Sequence, residues 1–241
     1  MTNKLCVTGG AAYTDIDVLA CAIAFAELKN CVAILPGAFN ATIPESIRKW
    51  DLNFSTKFSK SYEQVVVVDV SNPKYFPPQI SEDKIVKVFD HHAGFENYWK
   101  EKGQIEFVGA CATLIFELFG YKKLSPVSAN LLYTAIFANT LNFNASVTSA
   151  RDIQAFEKLK KFIELPENWI EQYYAEVEKG IFENFDKAIK NDTKILSNGW
   201  AISQIELYDA ASILKNQNFF GIIGTLHERS FRLAPDNAID K

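Results

Sequence analysis

The chain has 241 residues, of which 48% are hydrophobic and 22% charged, with a formal net charge of −4. That balance suits a soluble globular protein with one sizeable core or two smaller ones, and it gives duplex nucleic acid or an anionic membrane no general reason to bind. Four cysteines (Cys6, Cys21, Cys31 and Cys111) fall in apolar segments without CxxC spacing, which argues against zinc and fits reduced thiols. The N-terminal stretch lacks a basic-then-apolar leader, and no apolar run approaches the roughly 20 residues that span a bilayer, so the expected location is cytoplasmic.

In chain order, "KLCVT" at residues 4–8 reads as a strand and "DVLACAIAFAELKN" at 17–30 as a mostly apolar helix. "CVAIL" at 31–35, closed by Pro36-Gly37, is a second strand. "EQVVVVDV" at 63–70 is a β-branched run of the kind buried on both faces of a parallel sheet, and "KIVKVFD" at 84–90 follows it. "ATLIFELFG" and "PVSANLLYTAIFANTL" are long and apolar enough for packed helices. This alternation predicts an α/β domain with a doubly wound, mostly parallel sheet. Beyond Leu165-Pro166 the amphipathic stretch 168–189 reads as a connecting helix, and "TKILSNGWAISQIEL" as a hairpin turning at Asn198-Gly199. A helix near 209–215 and a strand at 219–226 would complete a small α+β unit. The expected division is a domain at 1–188 and a short C-terminal domain at 189–241.

Three acidic points stand at the carboxyl ends of predicted strands. Asp15 and Asp17 lie in "YTDIDV" after the first, Asp69 ends "VVVVDV", and Asp90 with His91 and His92 ends "KVFDHH". In a parallel sheet these ends converge on one edge, where open α/β sheets place their ligands. Carboxylates gathered there repel one another unless cations neutralise them. Oxygen donors with an imidazole suit Mn²⁺ or Mg²⁺ better than Zn²⁺ or Cu, and two such ions can clamp a phosphoryl group and activate a water. Each residue also has a structural explanation. An Asp at a helix start is often only an N-cap, Asp69 can simply end a strand, and two histidines can leave a strand in an ordinary loop.

The order DxD, strand-final Asp, then DHH resembles the DHH phosphoesterase superfamily, in particular the branch of family II, manganese-dependent inorganic pyrophosphatases and their exopolyphosphatase-like relatives. "DIDVLACAIAFAELKN" is similar to that branch's first motif and helix, and "GACAT" at 109–113 to its Gly-(Ser/Ala)-x-Ala-Thr helix start. "LYTAIFANTLNFNASVTSARD" at 132–152 resembles its fourth motif, and "DTKILSNGWAISQIEL" the opening of its C-terminal domain. The likeness runs from residue 4 to about 207.

Thr14 stands where the family's first motif carries a proline, and two of the family's usual ligand positions also depart from its pattern. Ala11 stands where the first motif carries a metal-binding histidine, and Asn139 where the fourth carries an aspartate. The resemblance implies one ion held by Asp17, Asp69, His91 and Asn139, and a second, weaker site with only Asp15 and Asp69. It makes Asp90 the residue that orients a histidine, and His92 and Lys194 the groups that reach phosphate. Arg229 and Arg232 match the family's terminal basic motif only loosely and read more readily as a solvated charge cluster, and His227 has no assigned place. Asn142 and Asn144 are either substitute ligands or turn formers. The implied activity is metal-dependent hydrolysis, by metal-activated water, of a small phosphate-rich substrate such as polyphosphate, pyrophosphate or a short nucleotide. The alternative is a weakened or inactive relative that binds a metal and a phosphorylated ligand or partner. No membrane or duplex partner is expected, and a homodimer is compatible with either reading. The 189–241 segment resembles a shortened form of the family's substrate-clamping domain (DHHA2-like).

Overall fold

The computed structural model describes residues 4–59, 62–119, 124–184 and 188, together with the backbone of 193–195 and 201–203. The elements, in chain order, are β1 (Leu5–Thr8), β2 (Tyr13–Thr14), α1 (Ile16–Lys29), β3 (Val32–Ile34), β4 (Ala38–Phe39), α2 (Glu45–Arg48), β5 (Gln64–Val68) and β6 (Ile85–Asp90). They continue as α3 (Glu96–Trp99), β7 (Gly103–Ile105), α4 (Cys111–Phe119), α5 (Pro126–Asn139), α6 (Ala150–Leu159), α7 (Trp169–Glu183), β8 (Thr193–Ile195) and β9 (Ala201–Ser203). Five strands form a parallel sheet in the order β3-β1-β5-β6-β7. Successive strands run outward in both directions from the β1–β5 boundary, which is therefore the topological switch point. The short strands β2 and β4 pair in parallel as a separate two-stranded sheet.

The two faces of the sheet are covered differently. α1 packs on β1, β3 and β5, and α4 on β6, while α5 lies against α1 and α4. α1 is buried from Ile16 to Ala26 without a break, which explains why its sequence is apolar all round rather than striped. On the opposite face Val65, Val67, Ile85 and Val88 pack with Phe76, Trp99 and Phe95, which come from loops and α3 rather than long helices. The Trp99 indole N–H donates to the Ser71 carbonyl at 2.6 Å, satisfying its polar atom within that apolar layer.

A bulge in β6 decides the register. Val65 pairs with Ile85 but Val66 with Lys87, so Val86 has no opposite number. Ile85 and Val88, three apart, consequently share one face, and Phe89 turns to the other, 5.8 Å from Phe25 of α1. Strict alternation could not do this, because a one-residue slip reverses every side chain. Val68 then pairs with Phe89, which places Asp69 alongside Asp90.

The chain divides into two compact units, 1–172 and 173–241, with the division falling inside α7. Of the second unit's expected elements, β8 and β9 pair antiparallel, Thr193 opposite Ser203. Their turn at Asn198-Gly199, and the helix and strand expected at 209–215 and 219–226, lie outside the described residues. The seven elements expected in the first unit all form, with ends moved by one or two residues, whereas β2, β4, α2, α3, β7 and α6 had no counterpart in the sequence reading. All four cysteines are free thiols. Among the described residues no helix is long and apolar enough to cross a membrane.

Candidate metal centre

Asp69 follows β5 with φ at +60°. Asp tolerates this left-handed backbone better than most residues, and such strain persists where the surroundings enforce it. Its N–H donates to the Phe89 carbonyl at 2.8 Å. The side chain is buried, and its Oδ1 has no hydrogen-bond partner; the nearest basic atom is His91 Nε2 at 3.3 Å. A buried carboxylate oxygen without a donor is costly unless a cation completes it.

Asp90, the last residue of β6, is fully buried and builds the turn that follows. Its Oδ1 accepts from the His91 N–H at 2.8 Å and the His92 N–H at 3.1 Å, and lies 2.7 Å from His92 Nδ1. Burial pushes this carboxyl up, but its bonds to His92 outweigh that and hold it below the ordinary range. The two rings meet edge to face at 4.4 Å.

His91 Nδ1 lies 3.1 Å from the Val108 carbonyl. A carbonyl only accepts, so Nδ1 carries the proton and Nε2 is left to face Asp69 and, at 3.9 Å, Asp17 Oδ2. Burial lowers the pKa of His91, but the Asp69 and Asp17 carboxyls overcome this and raise it to about 10. His92, whose side chain is 56% exposed, is raised chiefly by Asp90.

The α1 side of the cluster is built differently. Asp15 is the N-cap of α1 and accepts from the Val18 N–H at 2.9 Å. Burial and then Asp69 push its carboxyl up to about 7. Asp17, 1% exposed, sits at the start of α4 as well: its Oδ2 accepts from the Cys111 N–H and its Oδ1 from the Ala112 N–H, both at 2.8 Å. The Cys21 thiol adds a bond to Oδ1 at 3.4 Å. Burial and Asp69 raise this carboxyl well above the usual range, while the His91 and Ala112 interactions oppose them. The capping explanation holds for Asp15, whereas Asp17 braces the start of α4 rather than capping its own helix, and neither role removes them from the cluster.

Among the described residues Asp69, His91 and His92 form a group whose ligand atoms all lie within 4.8 Å of one another. His92 thus stands beside the ligands, although the sequence reading gave it to the substrate. Asn139, at the end of α5, donates its Nδ2–H to the Ala135 carbonyl at 3.0 Å, so its Oδ1 is the atom left for a cation. Ala11 brings only a methyl group, and its N–H bonds the Tyr75 carbonyl. Asn142 and Asn144 are turn formers. Leu141, Asn142 and Phe143 all have positive φ, and Asn144 Nδ2 donates to the Leu141 and Asn142 carbonyls. Lys194 is placed by its backbone in β8, and its side chain lies outside the described residues, as do His227, Arg229 and Arg232.

Asp152 is the residue that sequence reasoning missed. It is fully buried and accepts from Gly109 N–H, Thr113 Oγ1 and Ser149. Its spacing of three residues from Ser149, a capping-box pattern, was the available signal. The donor set of the whole centre, carboxylate oxygens with imidazole nitrogen and an unpartnered Asp69 oxygen, fits a hard to borderline dication.

No family model matches the chain. It is 26% identical over 185 residues to a probable manganese-dependent inorganic pyrophosphatase of Clostridium acetobutylicum, covering 68% of this chain and 57% of that one. It is likewise 26% identical over 170 residues to the manganese-dependent inorganic pyrophosphatase of Bacillus subtilis, covering 62% and 52%. The chain spans about half the length of these curated relatives. Among solved structures, a Methanococcus jannaschii protein assigned to the family II inorganic pyrophosphatases superposes with a TM-score of 0.72 at 23% identity, covering 93% and 79%. An exopolyphosphatase-related protein from Bacteroides fragilis gives 0.59 at 13%, covering 84% and 65%. These homologues and neighbours agree with the DHH-superfamily resemblance of the motifs, and the structural likeness gives this chain the family II pyrophosphatase fold.

Proposed function

We propose that this protein is a manganese-dependent phosphohydrolase acting on a small phosphate-rich substrate, in the class of pyrophosphate, polyphosphate or a short nucleotide. The observation that carries the reading is the buried, unpartnered Asp69 Oδ1 facing His91 Nε2 at the sheet's switch point. Asp69 and His91 would hold one ion together with Asp17 and the Asn139 carbonyl oxygen, and Asp15 with Asp69 a second, weaker one. A bound Mn²⁺ supplies Lewis-acid charge to phosphoryl oxygens and acidifies water.

The chain's own groups do the rest. Asp90 fixes His92 through Nδ1 and raises its pKa, so that its exposed ring is a proton-bearing donor for a phosphate oxygen. The Val108 carbonyl fixes which nitrogen of His91 faces the centre. Lys194 is proposed as a second cation for phosphate, brought by a substrate-clamping segment at 189–241 that follows a catalytic domain at 1–188. Cytoplasmic location and a homodimer belong to the same reading.

A second reading has its own observations. Asp17 has both oxygens engaged by α4 amides, Asn139 is bonded within its helix, and Ala11 has no ligand atom. These favour a protein that holds one metal and a phosphorylated ligand without turnover. Phosphate release with Mn²⁺ and with Mg²⁺, on pyrophosphate, polyphosphate and 3′-phosphoadenosine 5′-phosphate, separates the two beside an Asp69→Ala control. Metal-dependent release lost in the control supports the hydrolase. Metal binding with no release supports the second reading, and failure to bind metal at all removes both.

A further inference from the structure

The carboxylate of Asp152 lies at the third position of α6 and has no exposure to solvent. Its Oδ2 accepts from the Gly109 N–H at 2.8 Å and from the Ser149 N–H and hydroxyl, both at 2.7 Å. Its Oδ1 accepts from the Thr113 hydroxyl at 2.6 Å. A full charge satisfied by neutral donors inside a protein is an anchor, since moving any donor leaves a buried anion exposed to an apolar surround.

What it anchors is one short segment. Gly109 and Thr113 bracket the start of α4, and the residues beside and between them aim two groups of the candidate metal centre. Val108, next to Gly109, offers the carbonyl that faces His91 Nδ1. Cys111 and Ala112 offer the amides that hold the two oxygens of Asp17. The fit at Gly109 is close: a Cβ there would fall 2.5 Å from Thr140 Cγ2 and 3.0 Å from Asp152 Oδ2. Thr140 is itself tied to the Ile136 carbonyl at 2.7 Å, so it cannot easily yield. Arg151, the neighbour of Asp152, binds Glu117 of α4 and Glu106, which fastens α6 to the same region from outside.

We propose that Asp152 is a positioning residue. By clamping Gly109 and Thr113 it sets the segment from Val108 to Thr113, and through it presents His91 Nε2 and the Asp17 carboxylate to the cation. The metal arm of the idea rests on the function proposed above, whereas the geometry arm does not.

The test compares Asp152→Asn with Leu159→Ala, a buried apolar truncation in the same helix that lowers stability without touching the clamp. Mn²⁺ affinity is read by calorimetry well below each variant's Tm. In the metal-free protein, nitrogen-15 spectra of His91 and hydrogen exchange at Cys111 and Ala112 report the geometry. Asp152→Asn is expected to weaken Mn²⁺ binding by about tenfold, the lower end of what outer groups around a metal are worth. It should also shift the His91 Nδ1 resonance and speed exchange at both amides. Leu159→Ala should do neither. Thr113→Val, which removes one bond from an otherwise intact clamp, should move the same signals less, and it keeps the test alive if Asp152→Asn fails to fold. Wild-type affinity and unchanged spectra in folded clamp variants would overturn the proposal. If the wild-type protein binds no Mn²⁺, the function proposed above fails, and the metal-free spectra still decide the role of Asp152.

Discussion

The two sides of the centre use the same residue type for different ends. On the β5–β6 side, Asp69 is left without a donor and Asp90 holds two histidines in place. On the α1–α4 side, Asp15 and Asp17 are already engaged by backbone amides, Asp17 by two of them across more than ninety residues of sequence. Clustered carboxylates are therefore not interchangeable. Those facing helix N-termini gain backbone partners and stiffen the frame, and the one facing its own kind has only the His91 imidazole beside it. That asymmetry points to a cation seated nearer Asp69 and His91 than Asp15.

The largest expected effect breaks the first side. Asp69→Asn keeps a residue that tolerates positive φ but removes the buried charge, so Mn²⁺ affinity should fall by more than about a hundredfold, beyond what outer groups cost. The metal-free Tm should stay level or rise. A calorimetric titration with a thermal melt checks both, and retained affinity would show that Asp69 is not the shared ligand.

Asp17→Asn should behave in the opposite sense. One face of the new amide presents N–H where Cys111 and Ala112 also present N–H, and an unsatisfied buried donor costs about 1–3 kcal/mol. In a domain of this size each kcal/mol moves Tm by about 2–4 °C, so the metal-free melt should drop by several degrees. An unchanged melt would mean that Asp17 does not brace α4.

The pH dependence sharpens the comparison. Asp15 is raised from 3.8 to about 7 and His91 from 6.5 to about 10, so both bind more protons folded than unfolded. The metal-free protein should then lose stability as pH rises, through Asp15 over the acid range to neutrality and through His91 above it. A dication takes the place of those protons. The rise in Tm given by a fixed Mn²⁺ concentration should accordingly grow with pH between about 5 and 8, with protons released on binding. A rise in Tm that shrinks over that range would contradict these assignments.

The smallest effect is Asn139→Asp. It restores a charge at a position whose amide now bonds the Ala135 carbonyl, and should tighten Mn²⁺ binding by about threefold, because oxygen sites are tuned by their charge count. No change would place Asn139 outside the cation's reach.

Much of this was legible in the sequence because it is local. The unbroken Val65–Val68 run and the apolar 17–30 stretch named a buried strand and a buried helix, since only full burial tolerates no polar face. Asp15, Asp17, Asp69, Asp90, His91 and His92 were singled out as candidates by their place at strand ends. The reading failed where the decisive neighbour is remote. Nothing near Asp17 announces that Cys111 and Ala112 will meet it, and Asp152 stood only as the last residue of the fourth-motif likeness, with no role of its own. The turn at Leu141–Phe143 puts Asn142 at positive φ and takes the Asn144 amide onto the Leu141 and Asn142 carbonyls, a backbone conformation that composition left open.

By itself, then, the sequence determined the order of the long buried strands and helices, the family it resembles and the candidate acidic and imidazole groups at the strand ends, because burial pattern and residue type are properties of consecutive residues. The tertiary structure decided which of those groups are already satisfied and which are not. The bulge at Val86 brings Asp69 beside Asp90, the start of α4 takes Asp17, and Asp69 Oδ1 is left without a donor. Hydrogen-bond partners at that edge come from segments far apart in the chain, so only the folded packing can say where an uncompensated charge remains for a metal.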